Sequence, residues 1–176
     1  MSLFKKTLVQ YGLCSILVLT TPLSHGLQSD REAPIDIQAD ALESNEQTGT
    51  TKYSGNVIMT RGSMRIDAEQ LIIHNERSKI TKIVAIGVPA RFQQQPAEEA
   101  APVVAQAERL EYHISDDALH LVGSAFLEQD GTSLSGKRID YDVRNAVVKA
   151  GSDADRSERV RMVIPAEALK QNQGDN

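Results

Sequence analysis

The chain has 176 residues with 19 basic and 24 acidic side chains, a formal charge of −5. That length points to one domain, and the acidic balance disfavours nonspecific binding to nucleic acid. One cysteine and no tryptophan exclude a disulfide scaffold.

In chain order, residues 1–26 read as a cleaved secretory signal. Lys5 and Lys6 form a positive start, Leu8 to Leu19 an apolar run, and Pro22 precedes a small-x-small site at Ser24-His25-Gly26. The run is short for a membrane span, and Tyr11-Gly12-Leu13 before Cys14 makes a poor lipoprotein signal. Removing the signal takes Lys5 and Lys6 and leaves 17 basic residues against 24 acidic, a balance of −7, and it removes the cysteine. Residues 27–176 are expected to form a single domain, with a polar tail from about residue 166.

Residues 35–164 read as many short strands. Ile35, Ile37 and Ala39 alternate with polar neighbours, as do Val57 and Met59; Met64, Ile66 and Ala68; Leu119 and Leu121; and Val160, Met162 and Ile164. Period two with β-branched residues and frequent Gly, Asn and Asp marks half-buried strands. Residues 95–102 (Gln-Pro-Ala-Glu-Glu-Ala-Ala-Pro) read as a loop between two similar halves.

The halves are similar because the chain repeats. Shifting residues 39–80 by 68 positions brings back the same chemistry: Gly55-Asn56-Val57-Ile58 falls on Gly123-Ser124-Ala125-Phe126, and Leu71 on Ile139. A small residue, a charge, a variable position and then Leu or Ile recurs at Ala39, Ala68, Ala107 and Gly136. A glycine follows each copy, at Gly55, Gly87, Gly123 and Gly151. Such repeats indicate stacked units that cannot bury their apolar faces alone. Within each copy the next apolar residue, Leu42, Leu71, Leu110 or Ile139, comes three positions after the small one. That step breaks period two, so a bulge or bend is expected there to keep the side chain facing inward, with the charge toward solvent. Four corners point to a sheet folded over on itself: a sandwich, a jelly roll or a short solenoid.

After the signal the aromatic residues are Tyr53, Phe92, Tyr112, Phe126 and Tyr141. An interior of Ile, Val, Leu, Met and Ala suits flexible hydrocarbon chains, and it suits a plain aliphatic core too. Catalytic constellations are weak. His74, His113 and His120 have no cysteine as co-ligand, and His113 and His120 differ in strand parity, so no metal site is expected. The acidic residues alternate with apolar ones, as on a solvated face. Arg61, Arg65, Arg77, Lys79, Lys82 and Arg91 form a basic subset in the first half. It reads as surface charge or, for Arg77, Lys82 and Arg91, as contacts to an anionic ligand's phosphates at the rim of an apolar groove. A folded sheet that does not close leaves its first and last strands unpaired. Ile35, Ile37 and Ala39 mark one such edge, and Val160, Met162 and Ile164 the other. Both invite pairing with another chain, and because they differ, copies would join head to tail.

Taken in order, several stretches resemble the LptA family of periplasmic lipopolysaccharide-transport proteins with an OstA-like fold. They are Pro34-Ile35-Asp36-Ile37-Gln38-Ala39-Asp40, Tyr53-Ser54-Gly55-Asn56-Val57-Ile58-Met59, Ile66-Asp67-Ala68-Glu69 and Gly87-Val88-Pro89-Ala90-Arg91-Phe92. Leu121-Val122-Gly123-Ser124-Ala125-Phe126 and Val160-Arg161-Met162-Val163-Ile164-Pro165 complete the set. The resemblance implies an all-β, twisted, open antiparallel jelly roll in the periplasm of a Gram-negative cell. It implies lipopolysaccharide acyl chains in an apolar trough, partners resembling LptC on the inner membrane and LptD on the outer membrane, and neither catalysis nor a cofactor. Ile35, Ile37, Val57, Met59, Ile66, Leu71, Ile73, Phe92, Tyr112, Leu121, Phe126 and Leu134 are expected to line the trough. Other classes considered are an anchored LptC-like partner of the same fold, a glycan-binding jelly roll, which would need exposed aromatic platforms, and an enzyme, which lacks a supporting constellation.

Overall fold

The computed structural model describes residues 29–77, 79–151 and 159–169. The expected signal at 1–26 and the tail 170–176 lie outside these residues; of the tail, Ala166–Leu169 forms one 3-10 turn. After a single helical turn, α1 (Ser29–Glu32), the chain runs through ten strands. They are β1 (Asp36–Gln38), β2 (Ala41–Asn45), β3 (Thr50–Arg61), β4 (Met64–Glu76), β5 (Lys79–Gln94), β6 (Val103–His113), β7 (Ala118–Gln129), β8 (Thr132–Asp142), β9 (Val147–Ala150) and β10 (Arg161–Val163). Residues 95–102 form the loop between β5 and β6, as expected.

All ten strands join one antiparallel sheet in the order β1-β3-β4-β5-β6-β7-β8-β10, with β2 also on β3 and β9 also on β8. The short strands expected from the sequence are instead long: β3 has 12 residues, β4 13 and β5 16. β1 and β2 lie along different parts of β3, with Ile37 opposite Met59 and Leu42 opposite Tyr53. They are two halves of one strand broken at Ala39-Asp40. β10 and β9 divide the far side of β8 in the same way, Met162 opposite Leu134 and Ala150 opposite Ile139. The sheet is therefore eight bent strands wide, four from each half of the repeat.

The bends form one line across the sheet. Register slips at Ser54/Val57, Asp67/Gln70, Ile86/Ala90, Gln106/Arg109 and Val122/Ala125. These are the corners expected at the repeated motif. The small residues Ala39, Ala68, Ala107 and Gly136 alternate along the line with Gly55, Gly87, Gly123 and Gly151, so motif and following glycine occupy neighbouring strands. A bulge bends a strand and sharpens its twist while the flanking ladder continues.

The charge of the motif does more than face solvent. At Gly55 the backbone turns left-handed (φ 81°), followed by Asn56 at 45°. Asn56 Nδ2 donates to Asp40 Oδ2 at 2.9 Å, and the Asp40 N–H donates to the Gly55 carbonyl at 3.0 Å. Sixty-eight residues on, Gly123 has φ 78° and Ser124 47°, and Ser124 Oγ donates to Glu108 Oε1 at 2.9 Å. In both places the carboxylate lies across the glycine. A Cβ on Gly123 would stand 2.6 Å from Glu108 Oε2, and one on Gly55 would collide with Asp40. Only glycine combines the positive φ with this close approach.

Bending folds the inner face onto itself. Met59, Met64, Ile66 and Phe92 before the corner and Leu71, Ile83, Leu110, Leu121 and Ile139 beyond it all belong to one buried apolar cluster. Burial of each such side chain is worth about 1.5–3 kcal/mol. The ring centroids of Phe92 and Tyr112 lie 6.2 Å apart across the fold. β1 and β10 do not pair, so the sheet stays open: the twisted antiparallel jelly roll expected from the sequence. The N-terminal segment is hooked onto the β3–β4 turn. The buried Asp30 carboxylate accepts the Ser63 N–H at 2.8 Å and the Ser63 hydroxyl, and a Cβ on Gly62 would strike it.

Gly55→Ala should lower the unfolding free energy by roughly 1–3 kcal/mol. Adding Asp40→Gly should recover the steric part of that loss and leave the backbone strain. Urea denaturation of the two variants against wild type measures both contributions.

Candidate functional site

Register pairing across the sheet builds continuous rows on the inner face. One runs Ile37–Met59–Ile66–Phe92–Ala105–Leu127–Leu134–Met162, one residue from each strand. Beyond the corner a second runs Leu42–Tyr53–Leu71–Ala85–Leu110–Leu121–Ile139–Ala150. At about 4.8 Å between strands, each row spans roughly 34 Å. Every member is apolar or aromatic, so neither row carries a charge from one edge to the other.

Of the twelve residues expected on this face, Val57, Met59, Ile66, Leu71, Ile73, Phe92, Tyr112, Leu121 and Leu134 belong to the buried cluster, and Ile35 and Ile37 pack against it. Phe126 does not. It alternates with the buried Ala125 and Leu127 and pairs with Gln106 and Ser135 on the outer face. The repeat itself carries the correct register: shifting Val57 and Met59 by 68 gives Ala125 and Leu127, whereas Phe126 corresponds to the outward Ile58. The Tyr112 hydroxyl donates to Asp117 Oδ1 at 2.6 Å, which settles the one polar group of that ring.

Each row has one exposed apolar end. Leu42, expected to turn inward, faces the same side as Tyr53 yet is 60% exposed; Met162 at the other end is 56% exposed. Among the described residues neither has a further strand beside it to cover it. Ala39 is likewise exposed at the broken corner of the first strand. The two edges therefore hold the expected residues Ile35, Ile37, Ala39, Val160, Met162 and Ile164. Each also holds a second segment that the sequence reading did not separate, β2 and β9. Val147, Val148, Val160, Met162, Val163 and Ile164 are all exposed, which makes the C-terminal edge the more apolar one.

The basic residues do not converge. Lys82 and Arg91 lie nine residues apart on β5, on either side of its corner, and Arg77 stands in the β4–β5 turn with a left-handed backbone. Arg91 alternates with the buried Ala90 and Phe92 and so faces outward, opposite Asp67 and Gln106. Lys82 Nζ lies 3.8 Å from Glu111. Three cations at the rim of one groove are thus corrected to separate outer-face and turn positions, because strand parity carries Lys82 and Arg91 to the other side of the sheet.

The outer face holds paired charges. Burial would raise the Glu111 carboxyl, but Arg109, bonded at 2.7 Å, with Lys82 and His113, holds it below the usual range. Asp140 is treated alike: burial opposes, and Arg138 and His120 hold it down. His113 and His120 share this face with ring centroids 5.0 Å apart. Their differing number parity misled the sequence reading, because the turn between β6 and β7 resets the alternation. Among the described residues no group of three His, Cys, Asp or Glu is arranged to hold a metal ion.

A family model for the LptA/(LptD N-terminal domain) LPS transport protein matches residues 36–147. The lipopolysaccharide export system protein LptH of Pseudomonas aeruginosa is 30% identical over 142 residues, 80% of this chain and 80% of that one. LptA of Escherichia coli K12, also a lipopolysaccharide export system protein, is 29% identical over 166 residues, 92% of this chain and 88% of that one. The crystal structure of P. aeruginosa LptH, the LptA-homologous periplasmic component of the conserved lipopolysaccharide transport device, matches with a TM-score of 0.73 at 28% identity. The match covers 78% of this chain and 99% of that one. With a family match running from the first strand to the ninth, the chain belongs to the LptA/LptD N-terminal domain family of lipopolysaccharide transport proteins.

Proposed function

We propose that this protein carries lipopolysaccharide through the periplasm, with the acyl chains along its inner face and no catalytic role of its own. The observation that carries this reading is the unbroken apolar row from Ile37 at one free edge to Met162 at the other. A row that ends on edge strands, at the half-buried Ile37 and the exposed Met162, is a path with two open ends. The names of its relatives as lipopolysaccharide export proteins support the same cargo.

Each edge strand presents backbone donors and acceptors with no partner strand beside them among the described residues. Pairing with an LptC-like protein at one edge, an LptD-like protein at the other, or a second copy of this chain would satisfy those groups. It would also align one apolar row with the next. Each methylene kept from water is worth about 0.8 kcal/mol, so a gap exposing a dozen of them would cost roughly 10 kcal/mol and halt the cargo.

Two expected outcomes test the reading. A photo-crosslinking residue at Ile37 or Phe92 should capture lipopolysaccharide, while one at Asp36 or Phe126, on the opposite face, should not; equal capture at all four positions would contradict the face assignment. Removing residues 159–176 should leave a soluble chain that still binds lipid but self-associates less in sedimentation and cannot restore export in depleted cells. Full export by the truncated chain would end the open-edge scheme.

A further inference from the structure

The inner face changes character at one lip. Along the end of β5, Ala90, Phe92 and Gln94 face inward and Arg91 and Gln93 outward. Gln94 is thus the last inward residue before the loop, opposite the buried Val103. It is only 9% exposed. Its Nε2 points to Asp30 Oδ2 at 3.5 Å, and the reverse amide orientation would set an oxygen against that carboxylate. The amide is therefore oriented, and its Oε1 is left buried with no hydrogen-bond donor among the described residues. A buried acceptor without a donor costs free energy, and such groups are rare enough to require a reason.

Asp30 explains the orientation but supplies no donor, since a carboxylate only accepts. It is itself held by Ser63 and by the close approach of Gly62. The result is a fixed acceptor standing where the hydrocarbon surface ends. We infer that the Gln94 side-chain carbonyl receives an N–H or O–H donor of the lipid, at the junction between its acyl chains and its amino-sugar headgroup. This rests on the reading that the inner face carries lipopolysaccharide. It adds a polar stop that sets how deep the acyl chains lie, because a headgroup donor can reach Oε1 only when the chains occupy the interior beyond it.

The test uses two ligands: lipopolysaccharide, and methyl myristate, which has an acyl chain and no donor. Gln94→Met removes the unpaired acceptor and keeps the volume. It should unfold at or above the wild-type temperature and bind methyl myristate as wild type does. For lipopolysaccharide it should lose affinity by roughly three- to tenfold, the worth of one hydrogen bond. Unchanged lipopolysaccharide affinity overturns the inference, as water would then satisfy the group. A parallel loss for both ligands overturns it too, since Gln94 would then be a packing residue. Independently of any substitution, the Gln94 side-chain amide resonance of the wild-type chain should shift with lipopolysaccharide and stay in place with methyl myristate; a shift with both or with neither counts against the assignment. Wild-type chain that fails to bind lipopolysaccharide at all would instead reject the transport reading itself.

Discussion

The structure depends on one constraint: each long strand must bend once without losing its neighbours or turning its apolar side chains outward. A plain bend would break the ladder, and a plain continuation of period two would send Leu71, Leu110 and Ile139 to the outer face. The line of bulges resolves both. Alternating small residues and glycines let backbones approach, the left-handed turns at Gly55 and Gly123 absorb the extra residue, and the carboxylates of Asp40 and Glu108 hold the neighbouring strand in place. Because the inner face survives the corner on every strand, the apolar rows run on either side of it and face each other. The interior, its open ends and its lip all follow from that geometry.

Much of this was legible in the sequence. The motif spacing located the corners, and the alternation of Ile35 and Ile37, Val57 and Met59, and Met64 and Ile66 fixed the inner face. What was missed has physical causes. Phe126 was placed on the inner face, although the repeat assigns its register to the outward Ile58 and it alternates with the buried Ala125 and Leu127. Leu42 obeys the corner rule in direction but not in burial, because burial needs a next strand. Alternation is a property of the strand, and coverage is a property of its neighbours.

Other misses arose where chain distance and spatial distance part. The hook of Asp30 on Ser63 joins residues 33 apart with no shared motif, and the Gln94 amide reaches Asp30 from 64 residues away. The outer-face charges were read as a local cluster because they are close in sequence. On the sheet, the partners of Lys82 come from β6 rather than from its own stretch, and Arg91 stands far along the same strand. The pairs Arg109 with Glu111 and Arg138 with Asp140 bond within one strand at a spacing of two, which keeps opposite charges together on the wet side.

The equality of the two halves makes the molecule a ruler marked in units. Sixty-eight residues advance the sheet by four strand positions, roughly 19 Å, and return the chain to the same point of the corner line with the same face inward. Duplicating one unit would therefore lengthen the track by a fixed increment while leaving the first and last strands, and whatever they recognise, unaltered. An insertion of an odd number of residues within a strand would instead turn the remaining side chains inside out. Span and end recognition are separable in such a protein: the first is counted in repeats, and the second is written only in its terminal strands.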